Sequence, residues 1–261
     1  MRTSTRPLYP MVYRSKPYGF QMFSDGRRRA EEGLGMGVQK MVIAVDVDGT
    51  LFDGSGVADE AVAALTQARA DGHLLVIVTG RRWEGLDLVV PAVVALTNRV
   101  VCEEGGVIVD VETGRLKLLA DPVEPDLIAG LVAAGVAALD IGHVVVGAPT
   151  SSLDVVTAVR DRIGSNRIII TNKSSIALTP PFCDKGTGLK AAIAELQVAS
   201  LPILAIGDAQ NDLPMFAIAD IAVGVANADD AVRASGVPLT AASVGLGVAE
   251  ALHRYLPRAS G

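Results

Sequence analysis

Short apolar runs recur along the chain and predict a sheet of buried strands. The runs are continuous rather than alternating, which is the pattern of parallel strands covered on both faces. Segments with helical spacing lie between several of them, and the clearest has apolar residues at positions 61, 62, 65 and 68. Strands that alternate with helices indicate an α/β protein. The five runs lie at 41–45, 74–78, 99–102, 203–206 and 221–225.

The pattern changes between the third and the fourth run. A hairpin is predicted first, followed by a helix, a short strand, a second helix and a second hairpin. The prolines Pro180 and Pro181 end this block. We interpret 107–179 as a small α+β cap domain inserted into a core that 41–106 and 180–261 form. The predicted elements of the cap are 107–111 with 115–119, 125–139, 143–146, 152–163, and 167–170 with 175–178.

Residues 1–40 show neither helical nor strand periodicity, and they contain eight Lys or Arg against three Asp or Glu. The early arginines are not followed by the apolar stretch of a secretory signal. We interpret 1–40 as a disordered basic extension, which an upstream start codon would explain, with Met36 or Met41 as the true start. An organelle presequence and a contact arm are the alternatives.

The composition narrows the class of protein. Half of the 261 residues are hydrophobic and a fifth are charged, which is enough for a sizeable core. The net charge of −6 argues against a nucleic-acid-binding surface. The apolar runs are shorter than the roughly 20 residues of a membrane span. Cys102 and Cys183 fit no metal-ligand spacing, so we expect buried, reduced thiols in a cytoplasmic protein. His73, His143 and His253 have no partner at ligand spacing and are interpreted as structural.

Carboxylates follow two of the buried strands. Asp46 and Asp48 come directly after the first run, and Asp208 and Asp212 follow the fourth. Ligands of open α/β sheets bind beyond the carboxyl ends of the strands, where these side chains should meet. Neighbouring acids repel each other unless a cation relieves them, and oxygen ligands suit Mg²⁺. A solvated turn is the simpler alternative, because Asp and Gly are common in turns.

Three further positions suit an anion at the same edge. Thr79 and Gly80 follow the second strand. The hydroxyl of Thr79 and the backbone at Gly80, which a ligand can approach closely because glycine has no side chain, would form a phosphate-binding site. Lys185 stands at a helix N-terminus, which is unfavourable for the helix dipole unless the ammonium faces a bound anion. Asn211, in the loop after the fourth strand, completes the predicted phosphate-binding residues.

The segment D-V-D-G-T-L at 46–51 resembles the first signature of the haloacid dehalogenase superfamily, D-x-D-G-T-L. Four segments carry the candidate residues: the ends of the first, second and fourth strands, and the start of the helix at Lys185. Their order along the chain, with a cap after the third strand, resembles the Cof-type phosphatases of that family over roughly 41–256. The resemblance implies a Rossmann-like core with strand order 5-4-1-2-3, Mg²⁺ dependence, and small phosphomonoester substrates, often sugar phosphates.

The chemistry of phosphoryl transfer assigns a role to each candidate. Asp46 would attack phosphorus and become an aspartyl-phosphate, and Asp48 would act as the general acid and base. Asp46 and Asp208 would hold Mg²⁺ by their side chains together with a backbone carbonyl, and Asp48 and Asp212 are the other residues assigned to the metal site. The phosphate would lie against Thr79, Gly80 and Lys185, with Asn211 and Asp212 positioning waters or Lys185.

The substrate and the reaction leave alternatives open. Glu104 stands where many relatives of the family have Asn, and phosphoglycolate phosphatases of this branch often have Asp there but tend to replace the Arg that Arg81 retains. The prediction therefore favours sugar or sugar-acid phosphates, with a phosphoglycolate phosphatase or a sugar phosphomutase as alternatives. A non-enzymatic phospho-acceptor switch would need neither the cap nor Asp48. We expect a small phosphorylated metabolite as partner, neither nucleic acid nor membrane, and a monomer or homodimer.

Overall fold

The computed structural model describes residues 39–172 and 174–257. The predicted basic extension lies outside the described residues apart from its last two positions, as does Lys173 in the predicted turn of the second hairpin. Within the described part of the chain, no helix is both long and apolar enough to cross a membrane.

The larger sheet has seven strands in the order β11-β10-β1-β2-β3-β4-β5. Its first five members are parallel and give the predicted order 5-4-1-2-3, so the Rossmann-like α/β core is confirmed. Val45 pairs with Ile206 on one side and with Ile77 on the other, which aligns the carboxyl ends of the three central strands. The strands are β1 Val42–Val45, β2 Leu74–Val78, β3 Arg99–Cys102, β4 Val107–Asp110, β5 Leu116–Leu118, β10 Ile203–Gly207 and β11 Ile221–Gly224.

Helices cover both faces of this sheet because its strands are apolar on both sides. Ile43 and Val45 belong to a cluster with residues of α1 and α9, whereas Val42 and Ala44 pack with residues of α6 and α7 on the opposite face. The helices of the core are α1 Asp59–Ala70, α2 Leu86–Val89, α3 Pro91–Val94, α6 Lys185–Glu195, α7 Leu213–Phe216, α8 Asp230–Ala234 and α9 Val244–Tyr255.

A second, four-stranded sheet lies between β5 and α6 in the sequence and has the order β6-β7-β9-β8. With its two helices it encloses a separate cluster of buried apolar residues. We call residues 125–179 the insert. Its elements are α4 Pro125–Ala133, β6 Asp140–Ile141, β7 Val146–Pro149, α5 Leu153–Ile163, β8 Ile168–Asn172 and β9 Ser175–Thr179.

The first hairpin belongs to the larger sheet, although the sequence analysis assigned it to the cap. A short 3₁₀ turn, Glu103–Gly105, reverses the chain, so that β4 returns antiparallel to β3 with Val107 opposite Cys102. The hairpin strand is apolar on both sides and fits the core for that reason: Val107 and Val109 pack on one face of the sheet, and Ile108 on the other.

Two elements of the insert also differ from the sequence prediction. The helix predicted to reach residue 139 ends at Ala133, because Gly135 and Ala138 adopt left-handed conformations that no helix continues through. The strand predicted at 143–146 begins at Val146 instead. The backbone N–H groups of 143–145 point to the carboxylate of Glu103 rather than to another strand.

Both cysteines are free and buried, as the sequence predicted. Burial raises the pKa of each thiol, and Asp184 adds to this effect at Cys183, whose pKa rises to about 11. The two thiols are therefore protonated at neutral pH and serve as small apolar side chains.

The position of the hairpin can be tested through stability. Ile108→Ala should lower the free energy of unfolding of the whole core by about 2–5 kcal/mol, because it opens a cavity beside Val78 and Val101. Leu118→Ala, in the more exposed strand of the same hairpin, should change it by about 0.5 kcal/mol or less. Urea unfolding measures both variants. Equal, small effects would show that the hairpin is not part of the core.

Candidate active site

The predicted site residues lie together at one edge of the larger sheet. Asp46 follows β1, Thr79 and Gly80 follow β2, and Asp208 follows β10. These three strands are neighbours and parallel, so their carboxyl ends meet at the same edge. Lys185 reaches the same place from the first turn of α6, which begins with a capping box between Asp184 and Thr187.

A buried lysine forms the centre of the site. The Lys185 Nζ lies 2.6 Å from Asp46 Oδ1 and 2.6 Å from Asp212 Oδ1, and the lysine side chain is only 2% exposed. Burial alone would lower the pKa of Lys185, but the negative charges of Asp212, Asp46 and Glu104 raise it above its ordinary value. The ammonium therefore stays charged and fixes the direction of the Asp46 carboxylate.

Acidic groups outnumber this one cation. Oxygen atoms of Asp46, Asp208 and Asp212 lie within 4.8 Å of one another, and all three residues are buried. Burial raises the pKa of Asp46 well above its ordinary value, and the charge of Asp212 adds to this, while Lys185 opposes it. A second cation beside these carboxylates would relieve the repulsion, so the donor set fits Mg²⁺, the metal that the sequence predicted.

Hydrogen bonds from the backbone hold the carboxylate of Asp212, and a side-chain hydroxyl holds that of Asp208. Asp212 Oδ2 accepts hydrogen bonds from the N–H groups of Asp208 and Ala209, at 2.9 and 3.0 Å. The Thr50 hydroxyl donates to Asp208 Oδ1 at 3.1 Å. Gly49 has a φ of 87°, and a Cβ there would lie 2.3 Å from Asp208 Oδ2. Glycine at this turn therefore leaves the space that Asp208 occupies.

Asp48 takes a different position from the other predicted metal-site residues. Its side chain is 50% exposed, and its carboxylate accepts two hydrogen bonds from Arg81, from Nη2 to Oδ1 at 2.6 Å and from Nε to Oδ2 at 2.7 Å. It lines the same cavity as Asp46, but its side chain is not part of the buried acidic group. The regular strand ends at Val45, and the turn that follows directs the two carboxylates to different neighbours.

The predicted phosphate-binding residues are close to this group but differ in their contacts. Gly80 lines the cavity, whereas Thr79 is fully buried and its hydroxyl accepts a hydrogen bond from the Arg81 N–H at 3.1 Å. The Asn211 amide donates to both carboxylate oxygens of Glu104, at 3.2 and 3.1 Å. Direct phosphate contacts by Thr79 and Asn211 stay predictions.

Sequence reasoning missed two acids at this edge. Glu103 and Glu104 follow β3 and are both buried, and they line the cavity together with Asp46. Burial raises the pKa of Glu104, although Lys185 and Asn211 partly offset the effect. The signal was present, since these two acids follow a continuous apolar run as Asp46 does. The sequence analysis treated Glu104 only as a departure from the family pattern.

The cavity above Asp46 has a volume of about 810 Å³ and is bounded by both the core and the insert. The core contributes the charged floor, and β7 and β9 of the insert contribute mostly small side chains together with that of Ile176. A further side chain of the core, Arg82, lines it and binds Asp140 of the insert at 2.6 Å. The lining from the insert includes Asp140, Gly147, Ala148, Pro149, Ser175 and Ile176.

Comparison with known proteins agrees with this geometry. The family model of haloacid dehalogenase-like hydrolases matches residues 43–134 and 138–252. The chain is 32% identical over 232 residues to a phosphoglycolate phosphatase of Haloarcula marismortui, with 82% of this chain and 96% of that protein covered. It is 26% identical to a phosphoglycolate phosphatase of Nitrosopumilus maritimus, with 84% and 98% covered.

Solved structures share the fold. A haloacid dehalogenase-like hydrolase from Bacteroides thetaiotaomicron superposes with a TM-score of 0.69 at 18% sequence identity, and the match covers 82% of this chain and 99% of that one. The residues outside the insert make up less of this chain than the match covers, so the agreement includes at least part of the insert.

The fit of a divalent cation can be tested without any substrate. Mg²⁺ should raise the melting temperature, because a ligand of the folded state stabilises it by about 2.7 kcal/mol at a hundredfold excess over Kd. Asp208→Asn keeps the shape of the side chain but removes its charge, and it should abolish most of this shift. Glu112→Gln, in an exposed hairpin turn, is the matched control and should retain it. A shift of wild-type size in Asp208→Asn would contradict the assigned site.

Proposed function

The chain belongs to the haloacid dehalogenase-like hydrolases, and we propose that it is a Mg²⁺-dependent phosphatase that hydrolyses small phosphomonoesters through a phosphorylated Asp46. The observation that carries the proposal is the placement of Asp46. Its carboxylate is held by Lys185 at the floor of a cavity and lies beside two further buried acids. A small phosphorylated metabolite is the proposed partner of a monomeric or homodimeric cytoplasmic enzyme.

Asp46 would act as the nucleophile. Lys185 binds one oxygen of this carboxylate, so the other oxygen is left to attack the phosphorus atom of a phosphate in the cavity. The buried ammonium also offers positive charge to the phosphoryl oxygens in the transition state. Asp46 and Asp208 would hold Mg²⁺, which when bound would neutralise the negative charge of the carboxylates and the phosphate.

Asp48 would transfer the protons. Asp48 lines the same cavity as Asp46 but is more exposed to solvent. The leaving group of a bound phosphomonoester would lie on this more exposed side of the cavity. The two hydrogen bonds from Arg81 fix the orientation of the carboxylate. Asp48 would protonate the departing alkoxide and then accept a proton from the water that hydrolyses the aspartyl-phosphate.

The insert supports the interpretation as an enzyme that releases phosphate. A receiver-type phospho-acceptor switch needs an Asp, a Thr and a Lys, but it has no use for Asp48 or for a second wall over the site. Here β7 and β9 form such a wall. A phosphomutase would need the same residues, and it would differ by keeping water out until the phosphoryl group is passed on.

Two substrate classes are favoured by different observations. The relatives reported above carry the name phosphoglycolate phosphatase, which makes phosphoglycolate the first candidate substrate. The cavity of about 810 Å³ also has room for larger leaving groups, as sugar or sugar-acid phosphates have. Its lining includes Arg82, which is suited to bind a carboxylate of the substrate, as well as several acids, which are suited to bind hydroxyl groups.

A panel of phosphomonoesters tests this proposal. With Mg²⁺ present, kcat/KM should be measured for phosphoglycolate, sugar phosphates, sugar-acid phosphates and nucleoside monophosphates. We expect phosphoglycolate or a sugar-acid phosphate to be preferred, and we expect chelation of the metal to abolish release of phosphate. Turnover that persists in excess chelator would refute the role of the metal.

Substitutions at Asp46 and Asp48 should fail in different ways. Asp46→Asn removes the nucleophile, so turnover should disappear. Asp48→Asn removes the general acid and base, which is typically worth about 10²–10⁴-fold in rate. p-Nitrophenolate leaves without much protonation, so Asp48→Asn should release a burst of nitrophenol and then stall as the aspartyl-phosphate.

Acid-quenched protein provides the direct measurement. Asp48→Asn incubated with a labelled phosphomonoester should retain the label on Asp46, and the double variant with Asp46→Asn is the matched control and should retain none. Label on any other residue would show that the nucleophile is assigned incorrectly.

A further inference from the structure

Glu103 is a buried carboxylate that none of the steps above uses. It is the first residue after β3, its side chain is 1% exposed, and its φ of 53° lies in the left-handed region. Carboxylates are seldom buried without a partner, because the loss of hydration is unfavourable. Among the described residues, the hydrogen-bond partners of the Glu103 carboxylate belong to the insert and not to the core, to which Glu103 itself belongs.

The backbone of the loop before β7 surrounds this carboxylate. Oε1 accepts the N–H of His143 at 3.0 Å and lies 3.2 Å from the ring Nδ1 of the same residue. Oε2 accepts the N–H groups of Val144 and Val145, at 2.8 and 3.1 Å. Three consecutive backbone donors therefore converge on one side chain, and such hydrogen bonds to a charged acceptor are stronger than those between neutral groups.

The opposite side of the same loop is held from within the insert. The Arg167 guanidinium, which is buried, donates to the carbonyl oxygen of Val144. It also donates to Glu124 at 2.6 Å and to the carbonyl oxygen of Pro122 at 2.9 Å, both in the connection that leads into the insert. The Val144 backbone thus links Arg167, at the base of the insert, to Glu103 in the core.

This loop leads directly into the wall of the cavity. Val145 lines the cavity, and the next residues form β7, from which Gly147, Ala148 and Pro149 also line it. A displacement of the loop by an ångström would therefore move the surface that faces the leaving group. A second ion pair between core and insert, Arg82 with Asp140, is partly exposed to solvent and therefore holds the insert less firmly.

We propose that Glu103 is a positioning residue that fixes the insert over the cavity and thereby sets the selectivity of the enzyme for the leaving group. The selectivity part rests on the proposed phosphatase function, whereas the positioning part rests on geometry alone. The neighbouring Glu104 binds Asn211 in the loop after β10, so the same two-residue turn contacts the insert on one side and this loop on the other.

Glu103→Gln is the sharpest substitution, because it keeps the size of the side chain. Both oxygens of Glu103 accept backbone N–H groups, so the amide nitrogen of a glutamine would face a donor in either orientation. Glu84→Gln is the matched control. It removes a charge 4.0 Å from the same His143 Nδ1, but this carboxylate is half-exposed and makes no hydrogen bond to the 143–145 backbone in the described structure.

Two measurements on the full-length protein separate positioning from mere stability. Hydrogen exchange of the amides at 143–145 should be faster in Glu103→Gln than in the wild type or Glu84→Gln, with exchange in β1 unchanged. The kcat/KM for phosphoglycolate should fall about tenfold to hundredfold, as expected for an ångström-scale misplacement. The loss for p-nitrophenyl phosphate should be smaller, whereas a purely structural defect would reduce both substrates in the same proportion.

Gly142→Ala reaches the same contact from the insert and serves if Glu103→Gln does not fold. A Cβ at Gly142 would lie 2.5 Å from the Glu103 carboxylate, so either the loop or the carboxylate must move and the contact between them is disturbed although no charge is changed. It should show the same faster exchange and the same change in selectivity.

Unchanged exchange at 143–145 in whichever variant folds, or an equal loss for both substrates, would overturn the proposal. If the wild type does not hydrolyse phosphoglycolate, the proposed substrate is wrong and the exchange measurement alone decides the role of Glu103.

Discussion

The structure of the site depends on one buried interaction, the ammonium of Lys185 between the carboxylates of Asp46 and Asp212. A buried charge without a partner is strongly unfavourable, and loss of one member of such a pair typically costs about 3–5 kcal/mol. The lysine therefore holds the start of α6, the end of β1 and the loop after β10 at fixed distances. Because the three acids are not neutralised by one cation, the same arrangement leaves a site that favours a second positive charge.

The positions of the strand ends and of the acidic residues that follow them were predictable, because the pattern that indicates them lies within a few neighbouring residues. A carboxylate at the end of a continuous apolar run is unusual in a sheet, and both Asp46 and Asp208, the latter separated from its run by one glycine, stand in such a position. The parallel order of the strands then brings such residues together. The partners of the side chains were only partly predictable. Asp212 binds Lys185, which is one of the two roles that the sequence analysis gave it. The pairing of Asp48 with Arg81 was not predicted, because the turn after the strand sets the direction of the Asp48 side chain.

The largest error of the sequence analysis has a similar cause. The two strands of the first hairpin were predicted at the right positions, but their partner was not, and the hairpin joins β3 instead of the insert. That choice depends on the turn at Glu103 and Glu104, both of which have a φ of 53°. Residues other than glycine adopt this conformation infrequently, and no pattern of apolar and polar positions indicates it.

The strain in this turn has a structural explanation. Left-handed conformations of residues other than glycine cost roughly 1–3 kcal/mol each, and they persist where surrounding contacts over-determine them. Here the contacts come from two directions: the insert donates three backbone N–H groups to Glu103, and the loop after β10 donates the side-chain amide of Asn211 to Glu104. The turn is therefore stabilised fully only when both the insert and the loop after β10 are in place. The loop before β7 and the loop after β10 are thus both held by adjacent residues at the end of β3.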